Sequence, residues 1–155
     1  MTTLQLSNLD ARLAYLALQY HLSRPGSELQ RETGGPPSEG LASLGPELEA
    51  QLDKAVVAIE LSDQQRERMG SAIAGAINEL KSTPLLAAAG RQSMVPAFRE
   101  ALQRLFPDAA DDPDEATQLA RHLLTLRGRL EYVPTAAVEE QSQQPRSRWR
   151  FWQRD

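Results

Sequence analysis

The segment from Leu61 to Lys81, LSDQQRERMGSAIAGAINELK, constrains the fold more than any other stretch of the chain. Ser62 is placed to cap a helix, Gln65 three residues on completes a capping box, and Asp63 puts a negative charge where the helix dipole favours one. From Met69 to Ile77 no residue is charged. Met69, Ile73, Ile77 and Leu80 form one apolar stripe, and Gly70, Ser71, Ala72, Ala74, Gly75 and Ala76 surround it with small side chains. A helix without a charged face through its middle is one that neighbours cover on several sides, and small residues let those neighbours approach. It reads as a central packing helix, since that window has no polar group to hold a cofactor.

Other helices are expected around it. Ser7 precedes a segment to about Ser23 with Leu9, Leu13, Leu16 and Tyr20 in one stripe, stopped by Arg24, Pro25 and Gly26. Pro46 opens a predicted helix to about Glu60 with Leu48, Leu52, Ala55, Val56 and Ile59 in register, and the short connection at Leu61 and Ser62 predicts an antiparallel helical hairpin. Thr83 and Pro84 signal a short separate helical turn to Ala89, and a further helix runs from about Met94 or Pro96 to Phe106. Asp112 and Pro113 start the last one, to about Glu131, with Ala116, Leu119, Leu123, Leu126 and Leu130 as a seam for lying along another helix. The expectation is an all-α single helical bundle, residues 1–134, of four main helices plus a short helical turn. Residues 24–45 form a long Pro/Gly-rich loop within it, and residues 135–155 a flexible linker and C-terminal tail.

Composition supports that expectation. With three Phe, three Tyr and two Trp in 155 residues, the core must come from Leu, Ala, Ile and Val. The absence of cysteine excludes disulfides and thiolate metal sites. No signal-like or membrane-spanning stretch is visible, so a cytoplasmic location is expected.

Little in the body suggests chemistry. His21 and His122 lack the Glu three residues upstream that a di-iron bundle needs, because Leu18 and Leu119 stand there; they read as packing or surface imidazoles. The run Asp108, Asp111, Asp112, Asp114, Glu115 carries Pro113 and no Gly, so it reads as a helix start rather than a calcium loop. Gly34 and Gly35 have no following Lys-Ser/Thr, Ser93 has no identifiable base, and Arg127-Gly128-Arg129 suits a helix C-terminus. No catalytic residue, metal site or cofactor is expected.

The tail stands apart. Residues 145–155 carry Arg146, Arg148, Arg150 and Arg154 against Asp155, leaving 13 positive and 20 negative side chains over residues 1–144. An acidic body argues against nucleic acid as a partner. Both tryptophans and one of three phenylalanines fall between Trp149 and Trp152, interleaved with Arg148 and Arg150. Trp, Phe and Arg are the residue types that dominate binding hot spots. Arg148, Trp149, Arg150, Phe151 and Trp152 are therefore the candidate partner-binding residues. The functional expectation is a non-catalytic adaptor or regulatory protein docking to another protein through this tail, with a homodimer as a further option. Three alternatives stand beside it: the tail folds back onto its own acidic body or a sister subunit, the tail attaches to an anionic membrane surface, or a small apolar ligand or pigment is held between helices under the 24–45 loop.

Overall fold

The computed structural model describes residues 1–24, 40–88 and 96–132, the side chains of residues 83–88 excepted. Its order is β1 (Thr2–Ser7), α1 (Asn8–Ser23), α2 (Leu44–Glu49), β2 (Val56–Leu61), α3 (Asp63–Ala88), α4 (Pro96–Leu105), α5 (Pro107–Asp111) and α6 (Pro113–Glu131). The described fold is mostly helical but not all-α, because β1 and β2 pair antiparallel as a two-stranded ribbon.

The ribbon replaces most of the helix expected from Pro46 to Glu60. Only Leu44–Glu49 is helical, and α2 packs on α1 instead of forming a hairpin with α3. The segment VVAIEL fits period two better than period 3.6. Val57, Ile59 and Leu61 are buried while Val56, Ala58 and Glu60 are exposed, and three of the six residues are β-branched. What decides between the two periods is a partner at the chain start. Leu4 faces Ile59 and Leu6 faces Val57, so both strands turn their apolar residues to the same side. Asn8 locks the approach: its backbone N–H donates to the Ala55 carbonyl at 3.0 Å, and its side-chain amide donates to the carbonyls of Leu52 at 2.7 Å and Lys54 at 2.8 Å. Those bonds hold the turn between α2 and β2 closed.

The helix starts follow their caps. The Ser7 hydroxyl accepts from the Asp10 N–H at 3.1 Å. Ser62 and Gln65 form the expected reciprocal box: the Gln65 N–H donates to the Ser62 hydroxyl at 3.1 Å, and the Ser62 N–H donates to Gln65 Oε1 at 3.0 Å. Asp112 accepts from the Asp114 N–H at 2.9 Å with Pro113 at the first helical position. The backbone of α3 stays helical through Thr83 and Pro84 to Ala88, so the separate turn expected there is absent. Proline's φ is itself helical, although inside a helix it removes one N–H donor and its ring crowds the carbonyl four residues back. The extra short helix lies instead at Pro107–Asp111, where an acidic start was expected.

Helix α3 packs on both α1 and α6, with Met69, Ala72, Ile73, Ala76, Ile77 and Leu80 buried. The most enclosed helix is nevertheless α1. Leu13 through Leu18 are buried without interruption, because α3, α4, α2, α6 and the ribbon reach it from different directions. The leucine seam of α6 is used within the chain, where Leu119, Leu123, Leu126 and Leu130 are buried on the side that meets α3. Among the described residues no helix is long and apolar enough to cross a membrane.

Candidate interaction surfaces

Arg148, Trp149, Arg150, Phe151 and Trp152 lie outside the described residues, as do most of the 24–45 loop, Ser93 and the linker. The other residues singled out in the sequence have structural surroundings. His21 is buried on α1, and His122 is exposed on α6. Asp112 is spent on capping α6, with Asp114 and Glu115 in its first turn. Arg127 pairs with Glu131 at 3.2 Å along α6. Arg129 pairs with Asp10 of α1 and donates to the Gln5 carbonyl of β1 at 3.3 Å, so the last turn of α6 is fastened to the ribbon. Among the described residues no group of three or more His, Cys, Asp or Glu is placed to hold a metal ion.

Among the described residues, three surface grooves stand out. The first, of about 360 Å³, lies between the second half of α3 and the first half of α6. Ile77, Leu80, Ala116 and Ala120 make its apolar floor, Lys81 and Arg121 stand beside it, and Leu124, 59% exposed, borders it. The second, of about 640 Å³, lies between the start of α3 and the end of α6. Four of its charged groups are engaged along their own helices, Asp63 with Arg66 and Arg127 with Glu131, each at 3.2 Å, and Glu67 lines it as well.

The third groove, of about 490 Å³, lies between Met1 and Thr3 at the chain start, Ala58 and Glu60 of β2, and Glu47 of α2. The geometry of the ladder shows what β2 presents there. In antiparallel pairs, residues that exchange backbone bonds alternate with residues whose N–H and C=O point away. The bond from Asn8 to Ala55 places the exchanging pairs at Leu6 with Val57, Leu4 with Ile59 and Thr2 with Leu61. The Gln5 carbonyl, free to meet Arg129, agrees with that phase. Val56, Ala58 and Glu60 therefore turn their backbone groups outward along the far edge of β2, where no described residue pairs with them. Glu47 and Glu60 are the only charged side chains lining the groove, and neither has an ion-pair partner among the described residues.

Sequence reasoning missed this edge, because the alternation in VVAIEL competes with a longer helical stripe and no local pattern announces that β1 will pair with it or that α2 will flank it. It also missed the second role of Gln65. That side chain is 5% exposed, and besides capping α3 its Nε2 donates to the Gly40 carbonyl at 3.0 Å, tying the segment before α2 to the start of α3. Arg104 was likewise not foreseen as a bridge. It lies 5.4 Å from the Tyr15 ring centroid and 3.2 Å from Glu49, and these two, Tyr15 first, raise its pKa and favour the charged form. Comparison of the chain with protein-family models, with curated proteins and with solved structures finds no match.

Proposed function

We propose that the chain is a non-catalytic adaptor or regulatory protein of the cytoplasm, in which the helical body carries a docking peptide at residues 148–152. The observation that carries this reading is compositional: both tryptophans, one of three phenylalanines and two arginines fall in five consecutive residues of a chain whose body, residues 1–144, is acidic. Indole, phenyl and guanidinium groups bury large planar surfaces for few rotatable bonds, so a peptide this short is able to bind another protein with useful affinity. Tethering raises its effective concentration to roughly millimolar once the body engages the same assembly. Deletion of residues 145–155 is expected to leave the body folded and to remove one partner recovered from lysate by the full chain. Equal recovery with both forms would sink the proposal.

A second reading rests on the apolar groove between α3 and α6, whose floor of Ile77, Leu80, Ala116 and Ala120 fits a small apolar ligand. An absorbance scan and native mass spectrum of freshly purified protein separate the two readings. A bound mass lost on Ala120→Trp supports the ligand, and a clean apoprotein mass counts against it.

A further inference from the structure

We propose that, before any partner arrives, residues 148–152 of this chain lie along the outer edge of its own β2 as a third strand. This rests on the docking-peptide reading and adds the contact that holds the peptide in reserve. The edge supplies what strand addition needs: the outward backbone groups of Val56, Ala58 and Glu60, spaced along one strand and unpaired among the described residues. Neither β1 nor β2 contains the lysine or proline that commonly protects an open edge.

Charge selects the occupant. The groove beside this edge is lined by the two carboxylates of Glu47 and Glu60, with Met1 and its N-terminal ammonium also on the lining, and the tail brings Arg146, Arg148, Arg150 and Arg154 against a single Asp155. In an extended tail Arg148 and Arg150 share one face and Trp149 and Phe151 the other. With the arginines on the exposed face of the ribbon beside Glu60, the two aromatic rings turn toward the side occupied by the helices.

Chain length makes the contact intramolecular. The last turn of α6 is fastened to β1 through Arg129 and the Gln5 carbonyl, and Gln5 sits directly opposite Ala58 in the ladder. The Gln5 carbonyl points away from β2, so the tether from Tyr132 to Arg148 begins beside the outer edge of β1 and crosses both strands, two strand spacings or about 10 Å, to reach the outer edge of β2. Residues 133–147 supply enough chain for that distance, since a coil of that length spans on the order of 20 Å. A partner that binds the aromatic residues must displace this strand, so the edge acts as an internal competitor.

Trp149 and Trp152 are the only tryptophans, so tryptophan fluorescence of the unmodified full chain reports this contact alone. Trp152 falls on the arginine face, so the expected result is a blue-shifted component from Trp149, protected from acrylamide and unchanged on dilution. Glu47→Lys with Glu60→Lys is expected to shift emission to the red and restore quenching. Ala58→Pro is expected to do the same, since it removes an outward N–H that β1 does not use. Far-UV circular dichroism verifies that each variant is folded. Red, freely quenched emission from the unmodified chain, or burial that survives both variants, overturns the proposal. Burial lost on dilution overturns it in favour of a second copy. The docking-peptide reading fails separately, through unchanged partner recovery after tail deletion.

Discussion

Two glycines on the same helix should respond in opposite directions to the same substitution. Both Gly70 and Gly75 lie in the uncharged part of α3. A Cβ added at Gly75 would stand 2.1 Å from Tyr20 Cε1 and 2.9 Å from Cδ1 and Cζ, whereas one added at Gly70 meets nothing within 4 Å. Relieving the Gly75 contact means moving from 2.1 Å to an ordinary separation of at least 3.4 Å, a retreat of about 1.3 Å. Tyr20 cannot make that move at no cost. Its ring stands edge-on to buried Phe98, with centroids 6.0 Å apart and planes at 83°. Overpacking of this kind costs about 1–3 kcal/mol, and disturbing the aromatic pair adds up to about 1 kcal/mol. Alanine's better helix propensity returns about 0.5–1 kcal/mol. Gly75→Ala should therefore destabilise by about 1–3 kcal/mol, while Gly70→Ala, with only the propensity term, should stabilise by about 0.5–1 kcal/mol. Urea unfolding of the two variants measures both, and at about 2–4 °C per kcal/mol the melting temperatures should separate visibly. In combination with Tyr20→Leu the Gly75→Ala penalty should shrink, which a double-mutant cycle reads directly. Equal shifts of the same sign for both glycines would refute the packing of α1 against α3.

Other sites carry further expectations. Gln65→Ala removes both halves of its role, the cap on Ser62 and the bond to Gly40, and should cost about 1–3 kcal/mol in urea unfolding because the Gly40 carbonyl loses a partly buried donor. Asn8→Ala frees the Leu52 and Lys54 carbonyls and should destabilise by about 1–2 kcal/mol, with the loss appearing first as faster amide exchange in residues 50–55. Arg104→Ala removes a half-exposed pair with Glu49, so about 1 kcal/mol or less is expected, and most of that should vanish in high salt. Leu6→Ala, at a fully buried ribbon position, should cost about 2–5 kcal/mol by chemical denaturation.

The parts of the fold legible in the sequence are those with local signals. Ser7, Ser62 with Gln65, and Asp112 with Pro113 each announce a helix start through side chains two or three residues from the backbone donors they satisfy. The leucine seam of α6 is legible for the same reason. The ribbon is not, because its strands are six residues each and lie some fifty residues apart, so their pairing is invisible in any short window. Leu48, Leu52, Ala55, Val56 and Ile59 match a helical stripe as well as Val57, Ile59 and Leu61 match a strand. Only β1 and the bonds from Asn8 settle the competition. Of the candidate site, the aromatic and cationic character of the tail is plain in the sequence. The acidic edge assigned to receive it exists only because α2 and β2 come together in space.

The central claim joins the ribbon to the tail, and residue-resolved amide hydrogen exchange tests both, on the full chain and on the chain lacking residues 145–155. The Val57 and Ile59 amides, directed at β1, should exchange slowly in both forms. The Ala58 and Glu60 amides, directed outward, should be slow in the full chain and fast after the deletion. Fast exchange at Val57 and Ile59 would contradict the ribbon itself, and identical exchange of Ala58 and Glu60 in the two forms would contradict the docking of the tail along it.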